Sequence, residues 1–284
     1  VSFVCREAAG SLHELVRSHG HACFTLPPTL GAGISELDDA EATLSAVHAV
    51  GSKVWDWVVV DHYMLGAAWE ERLRGLGASI LAIDDLANRA HACDVLLDQN
   101  YYARPARRYD GLVPESCRLL LGPSHVLLRS EFHAARASLR FRDGSIQRVH
   151  VSFGGSDPGN LTEMALLVLT RLGQHVVEVD VVIGASNPRR EHIQQLCASL
   201  PWASFHCQVA NMSELISAAD VAIGAGGASM WERCCLGLPT ITVILADNQS
   251  ETTSAVAETG AIYLIGRAEE CGPCLLYTSD AADE

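Results

Sequence analysis

The residues with the clearest chemical purpose are Gly224-Ala-Gly-Gly-Ala-Ser229, a run of small residues with Glu232 three positions further on. Small residues let backbone N–H groups come close to a ligand, and a helix opening at this point would add its positive end. That combination suits a pyrophosphate. The run is neither a Walker A motif, for which the Lys and Ser/Thr are missing, nor G-x-G-x-x-G. Glu232 falls one turn into the helix, on the face that carries Ala228 and Ser229, where a carboxylate can accept two hydrogen bonds from a ribose diol. The alternative is a tight strand–helix turn followed by a solvated Glu. Three more polar or Gly-rich loops favour the ligand: Gly154-Gly-Ser-Asp157, Gly184-Ala-Ser-Asn-Pro188 and Ala246-Asp-Asn-Gln249. Each follows a strand candidate, and ligands of open α/β sheets sit outside the carboxyl ends of the strands.

A second set of polar residues stands at strand ends earlier in the chain: Asp61-His62-Tyr63, Asp84-Asp85 and Asp98-Gln-Asn100-Tyr101. A lone strand-end Asp is usually a turn or cap residue. Three clusters at successive strand ends are also placed to face the other unit across a cleft. His62 stands beside a candidate acid, with a structural or surface imidazole as its alternative. No H-x-x-x-H, H-E-x-x-H or Cys/His cluster is present, so no metal site is expected. No G-x-S-x-G elbow is present, which argues against an acyl hydrolase. Cys271-Gly-Pro-Cys274 lacks a second pair and a βαβ setting, and neither redox nor metal chemistry is assigned to it.

The elements that must position these residues are short β-branched runs alternating with helical periods. Strands are expected at Ser2–Cys5, Val54–Asp61, Ser79–Asp84, Asp94–Asp98, Arg148–Phe153, Val177–Ile183, Ser204–Cys207, Asp220–Gly224, Pro239–Ile244 and Ala261–Ile265. Helices are expected near 11–19, 67–76, 160–172, 189–199, 212–218, 228–236 and 249–259. Runs apolar throughout, such as Val58–Val60 and Val181–Ile183, fit parallel strands covered on both faces. Alternation in two blocks predicts two α/β units, 1–140 and 147–266, joined by the polar stretch Ser138–Gln147. Asn160-x-x-Glu163 and Asn211-x-x-Glu214 read as helix caps.

Composition narrows the partners. The net charge of −14 argues against a basic face for nucleic acid, and an aromatic content of 6% argues against a base-stacking platform. No apolar run approaches the roughly 18 residues needed to span a bilayer. The ten cysteines are irregularly spaced, as reduced thiols of a cytoplasmic protein would be. Both ends are unusual. Val1 leads straight into a strand-like run without a cap or polar leader, which reads as a start inside a domain. Residues 271–284 have no structural period, resemble a translated sequencing adapter, and are set aside as a non-native tail.

The ordered motifs carry a resemblance. Val59-Val-Asp-His-Tyr63, Asp84-Asp85, Asp94-Val-Leu-Leu-Asp-Gln-Asn100, Tyr109-Asp-Gly-Leu-Val-Pro114 and Leu127-Leu-Arg-Ser-Glu-Phe132 come first. Val151-Ser-Phe-Gly-Gly-Ser-Asp157, Ser186-Asn-Pro188, Gly226-Gly-Ala-Ser229 with Glu232, and Asn248-Gln249 follow in order. Over about residues 1–266 the chain resembles the UDP-2,4-diacetamido-2,4,6-trideoxy-β-L-altropyranose hydrolases of pseudaminic acid biosynthesis. The resemblance implies a GT-B fold of two Rossmann-like domains with a cleft between them. Its C-terminal domain would be like that of family 28 glycosyltransferases and would bind UDP.

The implied reaction is metal-independent hydrolysis of a UDP-linked sugar at its anomeric carbon, with inversion, no cofactor, and UDP as leaving group. By position, Asn187, Glu232 and Asn248 match the family's nucleotide-sugar contacts. Ser156 and Gly226, Gly227, Ala228 and Ser229 would face the pyrophosphate, and Tyr63 the sugar. The family's general base is a histidine in a G-x-G-H loop after the first strand. The chain contains no such motif, and Val1–Cys5 matches the second strand of the family. The base is therefore expected upstream of Val1, and slow turnover is expected of the chain as given. A GT-B glycosyltransferase with an acceptor other than water, or a non-catalytic nucleotide-sugar-binding module, is the competing expectation.

Overall fold

A computed structural model describes residues 1–8, 10–28, 33–49, 51, 54–172 and 178–271. The chain forms two compact units: Val1–Asn100 with Arg104–His125, and Tyr101–Ala103 with the chain from Val126 onward. The division falls upstream of the 138–147 stretch read as a linker. Phe132, on the first helix after the division, is fully buried against Ile216, Ala219, Leu236 and Leu238. Arg140 and Arg142 then donate to the carbonyls of Ala218, Ala219 and Leu236. The polar stretch is a strap tied to the second unit by its arginines.

The first unit runs β1 (Ser2–Arg6), α1 (His13–Ser18), β2 (Ala22–Leu26), α2 (Glu36–His48), β3 (Trp57–Asp61), α3 (Ala67–Leu73), β4 (Ser79–Ile83), β5 (Val95–Asp98) and β6 (Arg118–Leu121). β1 and β2 pair with each other, and β3-β4-β5-β6 form a four-stranded sheet. Two acids of α2 serve as tertiary ties. The Glu36 carboxylate accepts from the N–H groups of Gly66 and Trp69 at the start of α3, at 3.0 and 3.3 Å. Asp39 accepts from the Trp69 indole at 3.0 Å. Helix starts carry orphan N–H groups, and here a neighbouring helix supplies the acceptor.

The second unit runs α4 (Ser130–Arg136), β7 (Arg148–Ser152), α5 (Leu161–Leu172), β8 (Glu178–Ile183), α6 (Arg190–Ser199), β9 (Ala203–Cys207), α7 (Met212–Ala218), β10 (Val221–Ala225), α8 (Ser229–Cys235), β11 (Thr240–Ile244), α9 (Asp247–Glu258) and β12 (Tyr263–Arg267). Its sheet has the order β12-β11-β10-β7-β8-β9, with every pairing parallel. The chain winds outward from β7 to β9, then returns beside β7 and winds the other way. The strand order thus reverses between β7 and β10, the doubly wound arrangement whose ligand crevice lies at the carboxyl ends of the two strands flanking the reversal.

Val149, Val151, Val179, Val181 and Ile183 pack one face of this sheet against Leu161, Leu166 and Leu169 of α5 and Ile193 of α6. Strand alternation turns His150, between Val149 and Val151, to the other face. Cys271, the first residue of the segment set apart as a tail, is buried in that same core. The rest of the segment, 272–284, lies outside the described residues. No helix among the described residues is long and apolar enough to cross a membrane.

Candidate functional site

The four loops picked out in the second unit meet at one sheet edge. Gly154–Asp157 follows β7 and Gly226–Ser229 follows β10, so the two loops flank the reversal. Ser186 Oγ donates to the Gly155 carbonyl at 3.4 Å, which ties the loop after β8 to the loop after β7. On the other side, Thr253 Oγ1 of α9 donates to the Gly226 carbonyl at 3.4 Å. A Cβ at Gly226 would collide with that hydroxyl, so the close approach of helix to loop requires glycine. Gln249 supports the same loop. Its Oε1 accepts from Leu245 N at 3.0 Å, and its Nε2 lies beside Gly227.

Within this frame the predicted residues differ in what they offer. Ser156, Ala228 and Asn248 are exposed, Gly227 and Ser229 are half-buried, and Gly226 is buried. Asn248 lies in the first turn of α9, because that helix opens at Asp247 rather than at 249. Asn187 is buried and its Oδ1 accepts from Arg189 N at 2.8 Å, closing the turn that leads into α6. Glu232 is half-buried and accepts from Arg129 at 3.3 Å. Burial pushes its carboxyl above the ordinary range and outweighs the opposing Arg129 charge and hydrogen bond. Arg129 stands inside a quoted motif, but its role as the partner of Glu232 has no signature in the sequence.

Two sequence expectations need correction. The cap of α5 is Asp157, whose carboxylate oxygens accept from Leu161 N and Thr162 N at 2.9 Å each. Asn160 instead donates to Glu163, and Asn211 donates to Glu214 at 3.1 Å without capping α7. The helix after the Gly-rich loop is also short. α8 has seven residues, so its positive end is a smaller asset than the sequence suggested.

The charge under that loop comes from Arg233, which has no signature in the sequence. Arg233, on α8 one turn after Ser229, is 1% exposed. It donates to Ser229 Oγ at 3.1 Å and to the Ala225 carbonyl at 2.5 Å. Burial lowers its pKa to about 10. His150 on β7 is pushed down to about 3 by burial and then by the Arg233 charge, and is therefore neutral.

The strand ends of the first unit are built differently. Asp84 and Asp98 are buried, and the Tyr109 Oη lies 3.1 Å from Asp84 Oδ2 and 3.0 Å from Asp98 Oδ2. Arg89 pairs with Asp84 at 2.5 Å and Arg108 with Asp98 at 3.4 Å. Burial opposes ionisation of Asp84, but the Ala87 N–H and the Arg89 guanidinium hold it below the ordinary range. At Asp98 burial wins and raises the carboxyl to about 6. These acids turn inward and hold one another, so they are not the outward-facing candidates the strand-end rule suggested. Tyr63 and His62 are exposed, and His62 Nδ1 accepts from Met64 N at 3.0 Å.

The unit also groups Cys5, His13 and Cys23, with ligand-type atoms within 4.8 Å of one another, which no spacing in the sequence announced. Burial, then the neighbouring Cys23 sulfur and its hydrogen bond, raise the Cys5 thiol, so it stays protonated near neutral pH. In the second unit, a cavity of about 390 Å³ at the amino-terminal sheet edge is lined by Arg140, Arg148, Glu178 and Asp220. Its charges are paired with one another, Arg140 with Asp220 and Arg148 with Glu178.

These features define a class. Residues 150–270 match the glycosyltransferase family 28 C-terminal domain, and the chain has the GT-B glycosyltransferase-like α/β fold with parallel sheets. Acinetobacter baumannii MurG matches with a TM-score of 0.55 at 15% identity, over 99% of this chain and 90% of that one. The Staphylococcus aureus MnaA–UDP co-structure matches with a TM-score of 0.53 at 10% identity, over 100% of this chain and 88% of that one. Within that class, the chain is 23% identical over 253 residues to the UDP-2,4-diacetamido-2,4,6-trideoxy-β-L-altropyranose hydrolase of Campylobacter jejuni, covering 87% of this chain and 89% of the relative. The resemblance read from the motifs therefore extends over most of the chain.

Proposed function

We propose that this protein is an enzyme acting on a UDP-sugar, that its second unit holds the UDP, and that it hydrolyses a 2,4-diacetamido-2,4,6-trideoxy sugar nucleotide at the anomeric carbon. The observation that carries the reading is the pair of Gly-rich loops flanking the strand reversal, braced by Ser186, Gln249 and Thr253. The similarity to the Campylobacter hydrolase supplies the sugar and the reaction.

In this reading the backbone N–H groups of Gly226–Ser229, with Ser156, meet the diphosphate, and Glu232 accepts from the ribose. Asn187 and Asn248 border the nucleotide, and Tyr63 is the sugar-side candidate of the first unit. As the anomeric C–O bond breaks, its electron pair leaves with UDP. Fixed N–H donors then stabilise the charge growing on the β-phosphate. Water forms the new bond to carbon from the opposite face and gives up its proton to a base. A histidine titrating near neutrality suits that step.

The match to the glycosyltransferase family 28 domain favours one second reading, transfer to an acceptor hydroxyl. The test incubates the protein with the UDP-linked altropyranose in ¹⁸O-labelled water, with and without EDTA. Slow release of UDP with ¹⁸O on the free sugar, unaffected by EDTA, is expected. UDP release that requires an added acceptor would replace hydrolysis by transfer, and loss of release with EDTA would contradict metal independence.

A further inference from the structure

Arg233 has an unusual setting for a charged side chain. Its guanidinium lies under the Gly224–Ser229 loop and is 1% exposed. One arm donates to Ser229 Oγ at 3.1 Å and the other to the Ala225 carbonyl at 2.5 Å, while Nε has no partner among the described residues. Among the described residues, none of the ion pairs engages it with a carboxylate. Glu232, next to it in sequence, is paired instead with Arg129. On the neighbouring strand β7, on the sheet face that Gly224 turns to the guanidinium, stands His150, buried, with its Nδ1 also unpartnered. The backbone has been cleared for the guanidinium. A Cβ on Gly224 would lie 2.5 Å from the Ser152 carbonyl and 3.1 Å from an Arg233 nitrogen.

A buried cation without an anion is strongly unfavourable, and folds normally pair such groups or exclude them. Here the charge is kept directly behind the loop read as the diphosphate site. The Ser229 hydroxyl accepts from Arg233, which leaves its own proton free to be donated on the solvent side of the loop.

We propose that Arg233 is the positioning cation of the diphosphate loop: it fixes Ser229 and the end of β10 from the buried side, and its unneutralised charge is offset by the diphosphate of the bound nucleotide. The inference rests on the reading that the second unit binds UDP. It deepens that reading by assigning preference for a nucleoside diphosphate over the bare nucleoside to a residue that need not touch the ligand.

The experiment titrates wild type, R233M and R233K with UDP and with uridine, and records melting with and without UDP. R233M should bind UDP about 10- to 100-fold more weakly, the range for loss of a charge-assisted contact, with uridine affinity within about twofold of wild type. Its ligand-free Tm should stay level or rise, since removing an unpaired buried charge relieves the interior, while the Tm gain on adding UDP shrinks. R233K keeps the charge but loses the fork, and its UDP loss should fall between the two.

A purely structural arginine predicts something else: a lower ligand-free Tm, with UDP and uridine weakened in equal proportion. That result, or unchanged UDP binding by R233M, overturns the proposal. Should R233M fail to fold, R233K decides by the same criterion, selective loss of UDP against parallel or no loss. Wild type that fails to bind UDP at all removes the reading of the unit itself, a result distinct from failure of the arginine's role alone.

Discussion

The carboxyl ends of β4 and β5 and those of β7 and β10 hold polar residues at equivalent places in two parallel sheets, and the fold uses them in opposite ways. At β4 and β5 the acids are consumed internally. Asp84 and Asp98 share Tyr109 and are each paired with an arginine. At β7 and β10 the loops are Gly, Ala and Ser apart from Asp157, which is answered by the N–H groups of α5, and the other buried charge is Arg233, which has hydrogen bonds but no ion-pair partner among the described residues. Buried polar groups are ordinarily satisfied. A strand-end polar residue therefore points to a ligand only where the fold leaves its charge or its N–H groups unanswered. That criterion supports the proposed UDP site in the second unit and makes the polar network of the first a brace.

The largest effect on stability is expected at Tyr109. Its single phenolic proton lies between two buried carboxylates, so Tyr109→Phe should cost about 1.5–3 kcal/mol of stability, measured by urea unfolding, the range for a hydrogen bond to a charged group. UDP affinity should not change. A parallel loss of UDP binding would make the network part of the site. The complementary change, Glu232→Ala, should weaken UDP binding by about 1.5–3 kcal/mol in calorimetry while changing stability little. An unchanged dissociation constant would leave Glu232 as no more than the partner of Arg129.

A pH series sharpens the same contrast. The Asp98 carboxyl rises to about 6 from an ordinary 3.8, so between these values the folded state holds a proton that the unfolded chain has lost. Stability should therefore fall as pH rises from about 4 to beyond 6, by about 1–3 kcal/mol from this residue. Asp98→Asn should flatten that fall, and a slope unaltered by the substitution would contradict the assignment. Asp84, shifted down, acts only below its ordinary range, where its contribution is lost on acidification. The smallest effect is expected at exposed Tyr63. Tyr63→Ala should change stability by less than about 0.5 kcal/mol and leave UDP binding intact, with any loss confined to the full UDP-sugar.

Much of this was legible in the sequence, for identifiable reasons. Strands apolar on both faces, such as Val181–Ile183, announce themselves, and small-residue clusters at their ends announce the loops. What escaped depends on distant partners. α2 has Ala40, Leu44 and Val47 at helical spacing, but these are diluted by acids whose purpose, capping α3 and holding Trp69, lies about 30 residues away. β2 and β6 are short and pair at a sheet edge, and α4 buries only Phe132. The inward turn of Asp84 depends on Tyr109, 25 residues on. Arg233 sits beside Glu232 on a helix and reads as an ordinary surface charge. Only packing against β10 shows that it is buried.

The most direct test of the account is calorimetry of the protein with UDP, CMP and GDP under one set of conditions. The loops at the β7–β10 reversal, with Arg233 behind them, predict that UDP binds at least about tenfold more tightly than CMP, which lacks the second phosphate, and the similarity to the Campylobacter hydrolase of a UDP-sugar predicts the same preference over GDP, a difference of about 1.4 kcal/mol or more. Equal binding of the three, or binding of none, would contradict it.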